Sequence, residues 1–279
     1  MATKDADCYD VCFKLADCGA LQGNLNLTIA AKSPWLALRR PNLRARVRLF
    51  CFPYAGGSEA AFRTWQQNLP DAIEVLPIQL PGRGTRIKEP ALTRLAPLTR
   101  ALSQSLRPEL DLPFAFFGHS MGGLIAFELA RQLRREGGPL PVHLFISAKC
   151  CPQQVDDFDT GEIPDEELIQ ILRRYEGTPG EVLENAELMQ LLLPVIRADM
   201  ELCNSYVYDS EPPLPCPITA FGGLQDHVSG RACLEGWENY TTARFTLRMF
   251  PAGHFFLQSC EKSILEAIFR ELAPHAAPS

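Results

Sequence analysis

Short apolar runs alternate with longer helical patterns from about residue 45 onward. The runs have the length and the flanking turn residues of buried strands, whereas the segments between them space their apolar residues three and four apart. Six runs are predicted to be strands: 46–52, 73–80, 113–118, 142–147, 217–223 and 244–250. This alternation predicts an α/β fold with a mostly parallel central sheet flanked by helices.

Four helices are predicted between and after these strands, at 92–106, 122–136, 231–240 and 261–272. Pro97 interrupts the pattern of the first one. Because proline lacks an N–H and clashes with the preceding turn, this helix is predicted to begin at or after Pro97.

The stretch from 152 to 213 breaks the alternation. It contains two further helical patterns, and Pro194 in the second predicts a kink or a restart. Two or three amphipathic helices inserted between strands indicate a helical lid, with extra packing on the sheet as the alternative. The lid would divide a core formed by 45–151 and 214–273.

The two ends of the chain lie outside this core. Residues 1–44 have no strong periodicity and are predicted to be an N-terminal extension, and residues 274–279 a C-terminal tail.

Composition and charge narrow the class of protein. The 279 residues carry a net charge of −6, with a pI of about 5.5, which argues against a broad basic surface for nucleic acid. No secretory signal is visible, and no apolar run approaches the ~20 residues that a bilayer requires. We therefore expect a cytoplasmic protein with no nucleic-acid or membrane partner. A monomer is the default expectation, and the sequence does not give the oligomeric state.

The ten cysteines are scattered along the chain. Cys51, Cys150 and Cys151 lie in or beside apolar runs, where a free thiol packs as a small hydrophobe, so reduced thiols are predicted. A loose cluster at 8–18 has no matching Cys or His pair at zinc-site spacing. We expect neither a metal nor a cofactor.

The stretch Gly118-His119-Ser120-Met121-Gly122 has the form G-x-S-x-G and stands between a predicted strand and a predicted helix. A serine at such a sharp turn has a strained backbone, and side chains two residues away on either side would collide with neighbouring elements. Glycines at those positions relieve the crowding. This context predicts that Ser120 is a nucleophile.

A serine nucleophile needs a general base, and elimination among the histidines selects one. His119 belongs to the turn itself, His143 opens a strand, His275 lies in the tail, and His227 is next to a candidate acid. His254 lies in a loop between the last strand and the last helix, where an imidazole can reach over the carboxyl edge of the sheet. His254 is therefore predicted to be the base.

The carboxylate that orients this base is predicted to be Asp226, just past the penultimate strand. The chain order Ser120, Asp226, His254 is the order expected of an α/β-hydrolase. Asp199 and Asp209, in or near the lid, are weaker candidates.

The oxyanion of an acyl-transfer reaction needs two hydrogen-bond donors. The backbone N–H of Met121 follows the nucleophile at the helix N-terminus. The second donor is expected in the loop "FPYAGGS" after the first strand, where Ala55 is the first choice and Tyr54 the next.

Six segments together resemble a known family: "FCFPYAGGS", "LPGRGTR", "FFGHSMGG", "LPVIRADMELCNSY", "GGLQDHVS" and "PAGHFF". They occur in the order seen in type II thioesterases, the editing enzymes of polyketide and nonribosomal peptide synthesis, and the medium-chain thioesterase of fatty-acid synthesis is similar. The resemblance spans residues 46–272. It implies an α/β-hydrolase with a helical lid that hydrolyses acyl groups from the phosphopantetheine arm of an acyl or peptidyl carrier protein.

By motif, the resemblance assigns the triad to Ser120, Asp226 and His254 and the oxyanion donors to Ala55 and Met121. One departure is that Ala252 precedes Gly253 and the histidine, where the family often has Gly-Gly-His. Alanine needs a conventional backbone angle, so this loop is expected to differ slightly.

Further residues are candidates for substrate or partner binding. Arg83, Arg86 and Lys88 could meet the acidic face of a carrier protein, with solvated loop charges as the alternative. The apolar run from 189 to 196, with Met189 and Leu193, would bury an acyl chain at about 0.8 kcal/mol per methylene.

Three rival functions are open. An acyltransferase can use the same serine turn but passes the acyl group to another thiol. A general carboxylesterase is disfavoured because "FPYAGGS" stands where His-Gly-Gly-Gly is common. A binding module on a hydrolase scaffold would not need the complete triad.

Overall fold

Six parallel strands form one sheet in the order β2-β1-β3-β4-β5-β6. The computed structural model describes residues 33–36, 39, 41–154, 163–175 and 180–277. The strands are β1 (Val47–Phe52), β2 (Ile73–Pro77), β3 (Phe114–His119), β4 (His143–Ser147), β5 (Ile218–Gly223) and β6 (Phe245–Phe250). All six predicted strands are confirmed. The central strands β1, β3, β4 and β5 are buried along their whole length, as expected for parallel strands covered on both faces, whereas β6 is a half-buried edge strand.

Helices cover both faces of the sheet. They are α1 (Trp65–Asn68), α2 (Leu95–Leu106), α3 (Met121–Arg135), α4 (Asp165–Tyr175), α5 (Gly180–Leu183), α6 (Ala186–Asn204), α7 (Arg231–Glu235), α8 (Phe256–Ser259) and α9 (Glu261–Ala276). Phe50 and Phe52 of β1 pack in the core with α2 and α3, whereas Val47 and Leu49 pack on the other face with α1 and α9. The predicted fold class is therefore confirmed.

Helix α2 begins earlier than its sequence predicts. Its first residue is Leu95, so Pro97 is the third residue of the helix. The first N–H groups of a helix have no acceptor within the helix, so a proline there removes no hydrogen bond. The expectation that the helix starts at or after Pro97 is wrong for this reason.

The described part of the inserted segment forms three helices, α4, α5 and α6, with a small hydrophobic cluster of its own. Leu168, Leu183 and Ile196 belong to that cluster. Helix α6 does not restart at Pro194, since one helix runs from Ala186 to Asn204. We call these three helices the lid.

Part of the N-terminal extension predicted at 1–44 lies outside the described residues, which begin at Ser33. The described part packs on the core, because Trp35 and Leu36 are buried and the Arg86 guanidinium lies over the Trp35 ring at 4.2 Å. At the other end, helix α9 continues through Pro274 to Ala276, beyond the predicted boundary at 273.

Two of the cysteines form a disulfide. Cys150, in the loop after β4, is bonded to Cys233 on α7. The expectation of reduced thiols is therefore wrong for this pair, because the fold brings two residues that are 83 positions apart to a Cα–Cα distance of 4.9 Å. Cys51 and Cys151 are free and buried.

The described residues contain neither a candidate membrane-spanning helix nor a candidate metal site. None of their helices is both long and apolar enough to cross a membrane. Within the same residues, no group of three or more His, Cys, Asp or Glu side chains could hold a metal ion. The cysteine cluster at 8–18 lies outside the described residues.

Candidate active site

Ser120 occupies the turn between β3 and α3 with φ 53° and ψ −118°. Among the described non-glycine residues, only Ser120 and Ala148 have a positive φ. The Ser120 N–H donates to the Ser147 carbonyl oxygen at 2.7 Å, which anchors the turn to the neighbouring strand β4. Strain of this kind is maintained only where the surrounding structure fixes it, and it is concentrated at functional sites.

The two outer glycines of the turn are required by backbone atoms. A Cβ on Gly118 would lie 2.0 Å from the Gly122 carbonyl oxygen, and one on Gly122 would lie 2.1 Å from the Phe52 carbonyl oxygen. Backbone atoms at these distances cannot move aside as a flexible side chain can. The steric explanation of the G-x-S-x-G pattern therefore agrees with the structure.

We expect Gly122→Ala to lower the free energy of unfolding by at least about 3 kcal/mol, at the upper end of overpacking effects. Gly230→Ala is the matched control, because a Cβ at Gly230 would meet nothing within 4 Å. Urea unfolding followed by circular dichroism measures both variants. A Gly122→Ala variant as stable as the Gly230→Ala variant would contradict the steric account.

Asp226 and His254 form a buried hydrogen-bonded pair. His254 Nδ1 and Asp226 Oδ2 are 2.8 Å apart. Asp226 Oδ1 accepts the N–H groups of Val228 at 2.8 Å and Ser229 at 3.1 Å. Burial raises the pKa of Asp226, but the hydrogen bond from His254 and those two N–H groups outweigh it and bring this pKa below its ordinary value. The carboxylate is therefore ionised at neutral pH.

The loops that carry this pair are joined to each other. They follow the neighbouring strands β5 and β6, and the Gln225 N–H donates to the Ala252 carbonyl oxygen at 3.0 Å. Ala252 is not among the residues with a positive φ, so alanine fits this loop without strain. A Cβ on Gly253 would meet nothing within 4 Å.

His119 and His143 bond hydroxyl groups, whereas His254 bonds a carboxylate. His119 is fully buried, and its Nδ1 lies 2.9 Å from the Ser147 hydroxyl. Burial lowers the pKa of His119 well below its ordinary value, so His119 is neutral. His143 bonds the Thr219 hydroxyl at 2.8 Å, and His227 is exposed.

Five of the predicted site residues line one cavity of about 620 Å³. Ser120, His254, Met121, Ala55 and Tyr54 all line it. The lid supplies an apolar wall: Ile171, Leu172, Val182, Leu192, Ile196, Met200 and Cys203. The sheet edge and the lid therefore enclose a chamber that can hold an apolar chain beside Ser120.

The loop after β1 has two of its N–H groups engaged near the predicted oxyanion donors. The Gly56 N–H donates to Asp199 Oδ2 at 2.7 Å, and the Gly57 N–H donates to the Tyr54 carbonyl oxygen at 2.9 Å. Met121 is the first residue of α3, so its N–H has no acceptor within the helix. Ala55 and Met121 both line the cavity and stay the predicted oxyanion donors.

Arg83 and Arg86 are not surface residues, so their predicted role in meeting a carrier protein is wrong. Arg83 is 6% exposed and pairs with Asp199, and Arg86 is 8% exposed and pairs with Glu89. Of the three basic residues in this loop, Lys88 is exposed. Carboxylate partners satisfy the charges of Arg83 and Arg86 that the sequence suggests for docking.

Met189 and Leu193 are also placed differently from the prediction. Both are buried in the lid's own hydrophobic cluster, and the cavity is lined by Leu192 and Ile196 of the same helix. Ile196 and Leu192 also pack in or against that cluster, so the cluster and the chamber share side chains of this helix. Residues near the site that sequence reasoning did not identify include Lys149 and Gln258, which also line the cavity.

The parallel sheet, the serine turn after β3, and the Asp226–His254 pair after β5 and β6 define an α/β-hydrolase fold. The chain belongs to the thioesterase domain family, whose profile matches residues 47–274. The gramicidin S biosynthesis protein GrsT of Aneurinibacillus migulanus is 43% identical over 251 residues, which are 90% of this chain and 98% of that protein.

Two further comparisons agree with this family. The human medium-chain S-acyl fatty acid synthase thioesterase is 35% identical over 225 residues, which are 77% of this chain and 83% of that protein. The solved structure of the RedJ thioesterase from the prodiginine pathway of Streptomyces coelicolor has a TM-score of 0.79 at 37% identity, and covers 87% of this chain and all of that one. The predicted family is confirmed.

Proposed function

We propose that this protein hydrolyses acyl thioesters carried on the phosphopantetheine arm of carrier proteins, with Ser120 as nucleophile, His254 as general base and Asp226 as the group that orients His254. One observation carries the proposal: Ser120 and His254 line the same cavity, while Asp226 holds Nδ1 of the imidazole. An imidazole held in this way keeps Nε2 for proton transfer.

The first half of the reaction forms an acyl-enzyme. Ser120 Oγ attacks the thioester carbonyl carbon as its proton passes to His254, and the oxyanion is stabilised by the N–H groups of Ala55 and Met121. The carbon–sulfur bond then breaks, and the pantetheine thiolate takes the proton from His254. The thiol leaves on the carrier protein.

The second half releases the acid. Water attacks the ester carbonyl carbon and gives a proton to His254, and the bond from the acyl carbon to Ser120 Oγ breaks as that proton returns to the serine. The products are a free carboxylic acid and the original enzyme. The chemistry needs no cofactor beyond the pantetheine arm that comes with the substrate.

Two features support a carrier-bound acyl chain as the substrate. The lid wall is apolar, and burial of an acyl chain there contributes about 0.8 kcal/mol per methylene. Relatives are named for gramicidin S biosynthesis and for the prodiginine pathway. We propose an editing or release role in polyketide or nonribosomal peptide synthesis, carried out in the cytoplasm.

The direct test uses carrier proteins loaded with acyl groups of different length, incubated with the protein in ¹⁸O-labelled water. Intact-protein mass spectrometry is expected to show loss of the acyl group with the pantetheine arm kept. The released acid is expected to carry one ¹⁸O atom from water. The Ser120→Ala variant is the control and is expected to leave the acyl carrier protein intact.

The same assay, extended with an added thiol acceptor and with matched oxygen esters, separates the rival functions. A new thioester on an added thiol, with no labelled acid, would make the protein an acyltransferase. Faster hydrolysis of matched oxygen esters than of thioesters would make it a carboxylesterase. Either result would contradict the proposed function.

A further inference from the structure

A buried ion pair connects the lid to the core next to the active site. Arg83, in the loop after β2, donates from Nη1 and Nη2 to the two carboxylate oxygens of Asp199 at 2.6 and 2.7 Å. Asp199 lies on lid helix α6. The two side chains are only 6% and 3% exposed, so this pair is shielded from solvent.

The same two side chains also bind the backbone of the loop after β1. Asp199 Oδ2 accepts the Gly56 N–H at 2.7 Å, and Arg83 Nη1 donates to the Gly57 carbonyl oxygen at 3.1 Å. The peptide group before Gly56 and the peptide group after Gly57 are therefore held, one by each member of the ion pair. Gly56 has φ +73°, a conformation that permits the loop to turn here.

An apolar contact reinforces the link. Ile196 lies one turn before Asp199 on α6, and residues three apart share a helix face. A Cβ on Gly56 would lie 2.7 Å from Ile196 Cγ1, so the lid helix rests directly on this glycine. The position of α6 and the conformation of the loop after β1 therefore depend on each other.

The peptide group between Ala55 and Gly56 is held by Asp199, and Ala55 is the predicted oxyanion donor that lines the cavity. Fixing the Gly56 N–H fixes the peptide plane that follows Ala55, and β1 fixes the chain before Tyr54. The direction of the Ala55 N–H is then determined from both sides. A donor displaced by about 1 Å can lose about 10² in rate.

We propose that Arg83 and Asp199 are positioning residues that couple the seating of the lid to the oxyanion hole: only when α6 is docked does the Ala55 N–H point at the developing oxyanion. This inference rests on the proposed function. Neither side chain touches the reacting atoms, and each acts through the loop backbone.

The buried pair of Arg83 and Asp199 is not explained by its contribution to folding stability alone. A buried ion pair replaced by apolar residues of similar volume is often neutral or stabilising, whereas loss of one partner is costly. The double variant Arg83→Met/Asp199→Leu therefore removes the backbone hydrogen bonds without leaving an unpaired buried charge. It separates a positioning role from a stabilising one.

The test compares four variants with the wild-type protein: Asp199→Ala, Asp199→Asn, the double variant, and Glu201→Gln as matched control. Glu201 is also on α6 and pairs with Arg94 of the core at 2.9 Å, but this pair is half exposed and does not contact the loop. The measurements are kcat and KM on an acyl thioester, thermal unfolding, and the affinities of two ligands.

The first ligand is an acyl-chain trifluoromethyl ketone, which adds to Ser120 and places an oxyanion in the hole. The second is a matched thioether with a methylene in place of the carbonyl, which binds the acyl chamber alone. Transition-state analogues report interactions that substrates do not. The ratio of the two affinities therefore measures the oxyanion hole separately from the chamber.

We expect Asp199→Ala to lower kcat about 10²-fold, in the range for loss of one oxyanion donor, with KM and thioether affinity changed less than about threefold. Its affinity for the trifluoromethyl ketone is expected to fall in parallel with kcat. Asp199→Asn keeps a carbonyl oxygen for the Gly56 N–H, so its kcat is expected to lie between those of Asp199→Ala and the wild-type protein. The double variant is expected to unfold near the wild-type temperature yet keep the kcat defect.

Three outcomes would overturn the coupling. The double variant could regain both stability and wild-type kcat, Asp199→Ala could match Glu201→Gln, or Asp199→Ala could weaken both ligands equally. A wild-type protein that does not hydrolyse acyl thioesters would end the proposed function, and the inference with it. The wild-type assay thus distinguishes the two failures.

Discussion

Ser120→Ala is expected to lower kcat for acyl thioester hydrolysis by about 10⁴- to 10⁶-fold, the range seen when a triad nucleophile is removed. The chamber and the oxyanion donors are untouched by this change, so binding of the substrate should remain. Alanine at φ 53° is as strained as serine, so the stability should not rise. Thiol release from an acyl-coenzyme A thioester, followed with a chromogenic thiol reagent, measures the loss.

The double variant Ser120→Ala/His254→Ala serves as its control. Residues that act as one unit give non-additive losses, so the double variant should be about as inactive as Ser120→Ala alone. Losses that multiply would show that the two residues act independently. A Ser120→Ala variant within tenfold of wild-type kcat would contradict a nucleophilic role.

Asp226→Asn is expected to lower kcat about 10⁴-fold, the second largest effect. Asp226 Oδ1 accepts two backbone N–H groups, so the amide of asparagine will place its oxygen there. Its NH₂ group then faces His254 Nδ1, which must become an acceptor. The imidazole proton moves to Nε2, and His254 no longer has a basic nitrogen for Ser120.

Asp209→Asn is the matched control, because Asp209 is an exposed aspartate beyond the lid. Its kcat should stay within about twofold of wild type, as for most surface changes. The profile of kcat against pH adds a second readout. A wrong tautomer lowers the maximal kcat at every pH, whereas a changed pKa only moves the profile along the pH axis. An Asp226→Asn variant as active as Asp209→Asn would reassign the orienting carboxylate.

The sequence predicts which residues meet at the candidate site, because the contacts that place them are local or follow from the order of the strands. The glycines at 118 and 122 are imposed by contacts with the turn's own backbone and with β1, which a five-residue pattern encodes. Asp226 and His254 each follow a buried strand, and the carboxyl ends of parallel strands meet at one edge of a sheet. Chain order and strand position are therefore enough to bring them together.

Two of the errors concern partners that are distant in the chain. Arg83 and Asp199 are 116 residues apart, and a basic residue in a glycine-rich loop gives no sign that a lid carboxylate buries it. Cys150 and Cys233 are a similar case, 83 residues apart. Local patterns report burial and periodicity, and they carry no information on which distant side chain completes a pair.

The lid shows a further limit. Helix α6 is apolar on more than one face, so periodicity alone does not tell which face meets the chamber. Leu193 packs within the lid and Leu192 lines the cavity, although the two are neighbours in sequence. The choice depends on how α4 and α5 pack against α6, which is a tertiary property.

The most direct test of the central claim titrates the protein with an alkyl fluorophosphonate and follows residual thioesterase activity against the labelled fraction of Ser120. Tandem mass spectrometry of the tryptic peptide 101–131 locates the label, with Ser103 and Ser105 as internal controls. The account predicts that activity falls linearly to zero as Ser120 is fully labelled. Full activity with Ser120 fully labelled, or inactivation with the label elsewhere, would contradict it.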